Sequence, residues 1–534
     1  MMYHTHRYLK FLFLIISLGL AISASAQDTI PLPDTLKREG SVETPASPLT
    51  NLGKNINTSH NESAPVITPD GSRLYFWSDR PEGMGFMDIF YADTDDTTGY
   101  LKPAKNIGKP LNDAGPNLVL SISNDGRSLL IFKEIAQKFK DQGYSNLAIA
   151  RRFLTGWMPA QPIKIEGFVN TGSASLTAYM GADGNTLVLS YVGPDTKGQE
   201  DLYVTFLDPK TNQWSKPKNL GNILNTGASE TTPFIAADGL TLYFSSDRPG
   251  GLGGYDVYMT QRLDSTWQNW TPPQNLGEKI NSAGDELHFK FPASADFGYL
   301  VSTHAADTSF GGKDIYMVHI PPEAKPRAVT MVKGKVIDRS TNKPMEAKIS
   351  YILLPSGEEL GSATSDSETG EYTIILPAGF NFAVLAEGNG YLAISENFNT
   401  IGEKGFNNIR RDLYLVPMKV GEQIRLNNLF FATGKANIKE ESTPELQRLV
   451  AVMKKNPGLR VEVAGHTDNI GTDEVNNWLS SQRAEAVKKF IVSQSIEADR
   501  IEAKGYGSHQ PAAPNDTEEN RQQNRRVEFK LIAM

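Results

Sequence analysis

Cysteine is absent from this chain of 534 residues. An exported protein without cysteine forms no disulfide, offers no thiolate to a metal, and has no cysteine to carry a lipid anchor at its mature N-terminus. Catalytic patterns are absent as well, because neither GxSxG nor HExxH nor HxxE occurs and the eight histidines are scattered. We therefore predict a protein that is not an enzyme and that uses no cofactor and no metal.

Long hydrophobic runs are also lacking, with one exception near the N-terminus. There, Arg7 and Lys10 precede an apolar run over 11–22, and Ala24-Ser25-Ala26 fits a signal-peptidase site. This run is too short to cross a membrane as a helix, and no later stretch is long and apolar enough. We predict a signal peptide over 1–26, a flexible leader with four prolines over 27–50, and no membrane-spanning segment in the mature chain.

The chain has fewer basic than acidic residues, with 53 Lys and Arg against 61 Asp and Glu. Loss of Arg7 and Lys10 with the signal peptide lowers the formal charge from −8 to −10. Such an acidic surface argues against nucleic acid and anionic membranes as partners. We therefore expect no nucleic-acid partner.

The sequence over 51–320 repeats five times. The segment NLGKNIN at Asn51 returns, with changes, at Asn106, Lys164, Asn219 and Asn275, at intervals of 55, 58, 55 and 56 residues. A turn follows in each unit, at Asp70-Gly71, Asp125-Gly126, Asp183-Gly184, Asp238-Gly239 and the altered Asp296-Phe297-Gly298. The last strand of each unit is predicted to begin at Asp88, Asn146, Asp201, Asp256 or Asp314. Several short strands and a hairpin turn per unit predict an all-β, five-bladed propeller.

The repeats resemble PD40 units, a family akin to the propeller of TolB, and TPDGSRLYFWSD at Thr68 to Asp79 is the clearest copy. We interpret the recurring aspartates as structural caps of backbone donors rather than as a ligand site, since a site used once need not recur in every unit. The Gly-rich segments at 78–88 and 245–256 lack phosphate-loop spacing. We interpret them as long hairpin loops that could carry a partner surface.

The segment over 328–418 reads as short strands separated by turns, after a predicted linker PPEAKPR at 321–327. It resembles the carboxypeptidase-regulatory-like β-sandwich at Gly334, Asp338, Thr341, Pro344, Gly370, Tyr372, Pro377, Gly379 and Tyr391. That fold has no catalytic apparatus. The resemblance therefore implies a spacer or a docking module.

The segment over 421–534 is predicted to form an α+β domain with a mixed sheet. A strand NNLFFAT precedes a helix that begins at a capping box, Ser442-Thr443-Pro444-Glu445, and stops at Pro457-Gly458. Its inward residues are predicted to be Leu446, Leu449, Val450 and Met453. A strand over 461–464, a second helix, and a last strand with inward Val527, Phe529 and Leu531 complete the domain.

The second helix carries the candidate site. Its buried stripe is predicted from residues at helical spacing, which are Val475, Trp478, Leu479, Val487, Phe490 and Ile491. Arg483 falls on that stripe, Asn476 lies on nearly the same face, and Asp468 lies in the preceding turn. A carboxylate, a guanidinium and an amide in this arrangement suit a zwitterionic ligand. An internal ion pair between Asp468 and Arg483 explains the same spacing equally well.

These residues resemble the motifs of the OmpA-like peptidoglycan-binding family. The pattern GHTDxxG, Asn, LSxxRA and NRRV appears as Gly465 to Asp468, Gly471, Asn476, Leu479, Ser480, Arg483, Ala484 and Asn524 to Val527. In that family the Asp and the Arg bind the diaminopimelate of the stem peptide. The resemblance assigns these roles to Asp468 and Arg483, with Thr467, Asn476 and Arg525 as supporting contacts.

Two positions of the motif need comment. Many family members carry an acid in FFDxxK, whereas this chain has Ala432 in FFATGK, so a contact from that side chain is lost. We interpret His466 of GHTD as an orienting side chain rather than a general base.

The order of propeller, sandwich and OmpA-like domain resembles periplasmic accessory proteins of the Bacteroidetes type IX secretion and gliding machinery. The resemblance implies a periplasmic protein, associated with peptidoglycan and the outer membrane, that tethers an envelope protein complex through its propeller. The alternative is a TolB-like envelope-integrity or glycan-sensing protein whose propeller binds a ligand.

We expect the mature chain to begin at Gln27, because the small residues Ala24 and Ala26 fit the signal-peptidase site. Intact-mass measurement on protein from the periplasmic fraction checks this cleavage site. A periplasmic chain that still begins at Met1 would contradict the prediction.

Overall fold

The computed structural model describes residues 49–135, 144–153, 156–168, 176–181, 184–208, 211–303, 309–432 and 434–534. The predicted signal peptide, nearly all of the predicted leader, Asp183 of the third turn, and Thr433 lie outside the described residues. The described part is mostly β-strand, and its three α-helices all lie beyond residue 440. No helix in it is long and apolar enough to cross a membrane.

Five antiparallel sheets follow one another along the repeats. Sheet 1 contains Glu62–Ile67, Arg73–Ser78, Asp88–Asp93 and Lys105–Asn106. Sheet 2 contains Asn117–Ile122, Ser128–Lys133, Tyr144–Phe153, Gly156–Trp157 and Gln161–Lys164. Sheet 3 contains Thr177–Met180, Thr186–Tyr191, Asp201–Asp208, Gln213–Trp214 and Lys218–Asn219. Sheet 4 contains Glu230–Ile235, Thr241–Ser246, Asp256–Gln261 and Gln274–Asn275.

Sheet 5 combines the end of the repeats with their beginning. Its strands are Glu286–Lys290, Phe297–Ser302 and Asp314–His319, and the outer position is taken by Leu49–Asn51. Leu49 pairs with Val318 in antiparallel register. The first strands of the five sheets also contact one another in cyclic order, and the first strand of sheet 5 contacts that of sheet 1. Each sheet therefore packs against two neighbours, and the N-terminal strand ties sheet 5 to the segment that leads into sheet 1.

A buried aspartate begins the third strand of four sheets. Asp88, Asp201, Asp256 and Asp314 are each at most 1% exposed. In sheet 5, Asn51 donates to Asp314 at 2.8 Å, and Asn51 Oδ1 accepts from Asn57 at 2.8 Å. Equivalent pairs occur at Asn106 with Asn112, Asn219 with Asn225, and Asn275 with Asn281. The two asparagines that begin and end the repeated segment, such as Asn51 and Asn57 of NLGKNIN, thus join the outer strand to the third strand. This agrees with the structural interpretation of the aspartates.

The loops between the second and third strands press against the next sheet. A Cβ atom at Gly85, Gly198, Gly253 or Gly311 would overlap a backbone carbonyl oxygen of the segment that enters the following sheet. For Gly311 of sheet 5, that carbonyl belongs to His60, just before sheet 1. Each of these glycines lies three residues before the buried aspartate. Only glycine fits here, so the spacing fixes the contact between neighbouring sheets.

The opposite ends of the sheets, where the Asp-Gly turns lie, contact the following segment. Asp70 pairs with Lys333 at 2.9 Å, and Arg127, beside the turn of sheet 2, pairs with Asp366 at 2.9 Å. The predicted linker over 321–327 is packed rather than free. Ala324 is buried, and its carbonyl accepts from the Tyr243 hydroxyl at 2.7 Å.

Two sheets over residues 329–417 enclose a second core. One contains Val329–Asp338, Lys343–Pro344, Glu371–Pro377, Tyr391–Leu392, Asn407–Arg410 and Leu413–Pro417. The other contains Lys348–Leu354, Glu359–Thr364, Asn381–Glu387 and Ile394–Asn399. Val336 and Leu415 of the first sheet pack with Ile349 and Phe382 of the second. The two sheets lie within the predicted segment over 328–418, and its carboxypeptidase-regulatory-like fold stays a prediction.

The C-terminal segment is an α+β domain with one mixed sheet. Its strands, in spatial order, are Gln423–Arg425, Val527–Ala533, Arg460–Gly465 and Ile501–Gly505, and the last two are parallel. Its helices are α1 (Thr443–Lys455), α2 (Asp473–Ser493) and α3 (Glu518–Asn524). The predicted inward residues of α1 and of the last strand are buried.

Two local predictions in this domain were wrong. NNLFFAT forms no regular strand over its described residues, because Asn427 donates to the Ser395 carbonyl at 2.9 Å and the neighbouring Asn428 side chain bonds to Ser395 Oγ. Ser442 does not cap α1 with its side chain. Its hydroxyl instead accepts from the amide of Phe430 at 2.8 Å, which ties this segment to the start of the helix.

The sandwich and the C-terminal domain share apolar packing. Leu392 and Val416 belong to the core that contains Ile424, Leu426 and the helices. Arg448 of α1 also donates to the carbonyl of Ala393 at 2.8 Å. The boundary predicted near residue 421 therefore crosses a packed core rather than an open linker.

We expect Gly198→Ala to destabilise the sheets by about 1 to 3 kcal/mol, because the new methyl group would overlap the Ala228 carbonyl. Gly227→Ala is the matched control, since a Cβ there meets nothing within 4 Å. Chemical denaturation of both variants measures the difference. Equal stability of the two would show that the loop contact is not tight.

Candidate functional site

The loop at 466–471 places the first candidate residues. It follows the strand Arg460–Gly465, and the amide of Thr467 donates to the Gly507 carbonyl at 2.9 Å. Asp468 Oδ1 accepts from the amide of Ile470 at 3.0 Å, which makes a tight turn. Gly471 has a φ of 103°, a value that favours glycine, and the chain then enters α2 through its N-cap Thr472.

Helix α2 presents Asn476 and Arg483 on one face, as predicted. The buried residues of that face are Asn476, Ser480, Arg483, Ala484, Val487 and Ile491. The predicted stripe was wrong at its start, because Val475 and Trp478 are 54% and 62% exposed. The reason is close packing: a Cβ at Gly465 or Gly505 would overlap the backbone or side chain of Ser480 or Ser481. Small residues must face the sheet there, and the bulky ones turn outward.

Arg483 is held without a carboxylate partner. Arg483 is only 9% exposed. Its Nε donates to the carbonyl of Lys435 at 3.2 Å, and its guanidinium lies 5.1 Å from the ring centre of Phe431. Burial lowers the pKa of Arg483, and the charge of Arg525 adds to this effect while Asp468 opposes it. Among the described residues, no carboxylate forms an ion pair with Arg483.

Asp468 pairs with Arg525 instead. Arg525 Nη1 lies 2.6 Å from Asp468 Oδ2, and Arg525 Nη2 lies 2.6 Å from Glu518 of α3. Burial alone would lower the pKa of Arg525, but its bonds to Asp468 and Glu518 outweigh burial and raise it. The internal Asp468 to Arg483 ion pair, left open by the sequence, is therefore not formed.

Two further predicted residues lie at the same site with polar groups buried. Thr467 is 4% exposed, and its hydroxyl has no hydrogen-bond partner among the described residues. Asn476 is also 4% exposed, and its amide lies on the side facing Gly471. Two guanidinium groups, one carboxylate, a hydroxyl and an amide can together bind a ligand that carries a carboxylate beside an ammonium group.

The ring of His466 is held by contacts with Tyr506 and Glu528. Its ring stacks on Tyr506 with centroids 5.3 Å apart, and its Nε2 lies 3.5 Å from Glu528 Oε2. Arg526 Nε lies 2.7 Å from the other oxygen of Glu528. These contacts hold the ring of His466 in place, and its orienting role stays a prediction.

Sequence reasoning missed several contacts of the site. The Lys435 carbonyl, the Phe431 ring and Glu518 were not predicted. A backbone acceptor leaves no pattern in one sequence, and Glu518 joins the site only through its ion pair with Arg525. Two of these contacts come from the segment FFATGK, which was recognised in the sequence as a variant of the family pattern FFDxxK. Its second Phe and its Lys contact Arg483, whereas Ala432 offers no side-chain acceptor.

Comparison with known proteins assigns this domain. Residues 430–525 match the model of the OmpA family. This segment is an OmpA family domain. Within it lie Asp468, Arg483, Thr467, Asn476 and Arg525, and Glu528, which contacts His466, lies three residues beyond its end.

Similar proteins share only part of their length with this chain. Outer membrane porin F of Pseudomonas aeruginosa is 40% identical over 116 residues, which are 21% of this chain and 33% of that protein. Photosystem I P700 chlorophyll a apoprotein A2 of Gloeobacter violaceus is 33% identical over 212 residues, 38% of this chain and 21% of that one. The structure of the peptidoglycan-associated lipoprotein from Burkholderia pseudomallei is 26% identical and covers 20% of this chain and 88% of that one, with a TM-score of 0.19. The chain thus spans a third or less of these two curated relatives.

We expect Glu528 to make the OmpA family domain sensitive to acid. Burial would raise its pKa, but bonds and charge from His466 and Arg526 outweigh burial and lower it from 4.5 to about 2. The stabilisation is present above about pH 4.5 and is lost as the pH falls toward 2, on the order of 2 to 3 kcal/mol. Denaturation of Glu528→Gln should depend less on pH in this window than denaturation of the wild type. Parallel pH profiles of the two would contradict the role of Glu528.

Proposed function

We propose that the OmpA family domain binds peptidoglycan through the diaminopimelate of the stem peptide. The observation that supports this most is the buried Arg483 guanidinium, which lacks a carboxylate among the described residues and lies in the field of Asp468 and Arg525. A buried cation without an anion is costly, so the arrangement favours a ligand that supplies the anion.

The ligand chemistry follows from the charges. The side-chain centre of diaminopimelate carries an ammonium and a carboxylate on one carbon. Its carboxylate would accept parallel bonds from Arg483, while its ammonium would donate to Asp468. Arg525 now occupies one oxygen of Asp468, so ligand binding shares or displaces that contact. Thr467 and Asn476 supply neutral hydrogen bonds nearby.

For the N-terminal part we propose a five-bladed propeller that holds an envelope protein complex. Support comes from the cyclic contacts of the five first strands and from the pairing of Leu49–Asn51 with the last sheet. Propeller blades leave their loops free for partners. The resemblance of the whole domain order to type IX secretion and gliding accessory proteins suggests which kind of complex is held.

The location proposed is the periplasm, next to peptidoglycan and the outer membrane. The predicted signal peptide supports export, and the similarity to outer membrane porin F supports the envelope. A tether between wall and complex needs no catalysis, which agrees with the absence of the catalytic patterns from the sequence.

We expect Asp468→Ala and Arg483→Met to weaken binding to purified peptidoglycan sacculi by about tenfold to a hundredfold, because each removes a charge-assisted contact. Arg483→Lys should not restore binding, since an ammonium cannot reproduce the planar fork. Co-sedimentation of each variant with sacculi measures this. Arg460→Ala is the control, since Arg460 is exposed on a strand of the same domain.

Thermal melts of the same variants separate binding from folding. Arg483→Met should melt at or above the wild-type temperature, because it removes a buried charge that has no carboxylate partner. If Arg483→Met is folded and still sediments like the wild type, the proposed site is wrong.

A further inference from the structure

We infer that the space surrounded by the first strands of the five sheets contains a binding site for a small carboxylate with an apolar body. Lys290 provides the positive charge of this site, and His288 on the same strand provides an imidazole beside it. We call this the central site. The inference goes beyond the proposed function, because it assigns a ligand to the N-terminal sheets and does not depend on peptidoglycan binding.

Lys290 occupies a position that recurs in all five sheets. At this position the first strand lies opposite the third residue of the second strand, and the residues found there are Val66, Ser121, Tyr179, Phe234 and Lys290. The other four are uncharged and differ in size. Packing of the repeat therefore does not require a lysine, and its presence in one sheet needs another explanation.

The Lys290 ammonium has no counter-ion in the part of the chain that the structure describes. Lys290 is 5% exposed, and no described residue forms a hydrogen bond or an ion pair with its Nζ. Burial lowers the pKa of Lys290 from 10.5 to about 7, and no neighbouring carboxylate raises it. A buried ammonium without an anion is costly, so the position favours a ligand that supplies the anion.

Solvent reaches the space beside Lys290. The Lys290 Nζ lacks a partner among the described residues, yet it is not one of the fully enclosed polar atoms. Thr177, Tyr179, Leu287 and His288, on the first strands of sheets 3 and 5, are also partly accessible. Each of these first strands has the first strand of another sheet on either side. Accessible surface on strands flanked in this way indicates a space between them that a small molecule can enter.

His288 lies two residues before Lys290, at a β-bulge of the same strand. The register with the second strand shifts there, and His288 has a φ of 59°. Bulges redirect side chains out of the regular alternation. The amide of His288 donates to Thr232 Oγ1 of sheet 4 at 3.3 Å, which fixes the bulge against the neighbouring strand. Burial lowers the pKa of His288 well below 6.5, and the charges of Lys290 and Lys313 lower it further. The imidazole is therefore neutral, and it lies near the Lys290 ammonium.

The charge and the neighbours of the central site select its ligand. One ammonium beside a neutral imidazole balances a single negative charge, which a carboxylate carries, whereas a phosphate monoester carries about 1.5 to 2 near neutral pH. Tyr179 and Phe234 occupy the position of Lys290 in sheets 3 and 4, and their ring centres are 5.1 Å apart. Phe234 also packs against Phe291 of sheet 5 at 4.7 Å. Aromatic rings beside one charged group favour a ligand with an apolar body. Benzoate combines both features and is the probe.

Calorimetric titration of the mature chain with benzoate tests the central site. The wild type should bind benzoate, and Lys290→Met should bind it at least about tenfold more weakly, because the ammonium is lost while the length of the side chain is kept. Lys313→Met is the matched control, since Lys313 is exposed and its charge also acts on His288. This control should bind benzoate within about twofold of the wild type.

Benzamide separates recognition of the charge from apolar binding. It has nearly the shape of benzoate without the negative charge, so the wild type should bind it at least about tenfold more weakly. This comparison uses the wild type alone and does not depend on the folding of a variant. Absence of benzoate binding, equal binding of benzoate and benzamide by the wild type, or equal benzoate binding by folded Lys290→Met would each overturn the inference.

Thermal melts and co-sedimentation with sacculi keep this inference apart from the proposed function. Lys290→Met should melt at or above the wild-type temperature, because it removes a buried charge without a counter-ion from a position that is uncharged in the other sheets. Benzoate should raise the melting temperature of the wild type and not that of Lys290→Met. Both proteins should bind sacculi equally, because the OmpA family domain is unchanged. Failure of the benzoate tests with intact sacculus binding would remove the central site and leave peptidoglycan binding in place.

Discussion

Buried carboxylates at the start of the third strands carry much of the structure. Each accepts hydrogen bonds from an asparagine of the outer strand and from backbone amides of the preceding loop, as Asp201 does from Asn219 at 2.8 Å and Lys197 at 3.2 Å. Burying an unbonded charge is costly, and the Oδ1 atoms of Asp88, Asp201 and Asp256 already lack a partner among the described residues. The donors to the other oxygen are therefore essential. Through one residue in each of four sheets, the chain fixes the outer strand, the shape of the loop and the glycine contact with the next sheet.

The sequence predicted features that depend on repetition or on local chemistry. Five copies of a motif indicated five sheets, and the strands beginning at Asp88, Asp201, Asp256 and Asp314 start at the predicted residues. Features set by packing partners were not predictable. Val475 and Trp478 fit a helical stripe, yet the close approach of α2 to Gly465 and Gly505 leaves them outside. Ser442 fits a capping box, yet it bonds to Phe430, twelve positions earlier.

In the candidate site, too, local relations were predictable from the sequence and long-range contacts were not. A helical period placed Asn476 and Arg483 on one face, because that relation is local to α2. The partner of Asp468 could not be read from spacing, since Arg525 reaches it from another helix end, 57 positions away. The carbonyl that accepts from Arg483 belongs to Lys435, whose side chain gives no indication of it. The assignment of the five site residues to a ligand therefore stays a prediction, supported by geometry.

The pairing of Leu49–Asn51 with the last strand of sheet 5 has a consequence for how the protein folds. The hydrogen bond from Asn51 to Asp314 joins residues 263 positions apart, and sheet 5 lacks its outer strand until that bond forms. Long-range pairing of this kind makes folding slow and leaves unpaired strand edges exposed in the meantime. As the chain is synthesised, Leu49–Asn51 precedes the other strands of the repeats and stays unpaired until its partner strand, which begins 263 positions after Asn51, has followed. The early sheets are therefore exposed to aggregation until the last sheet forms.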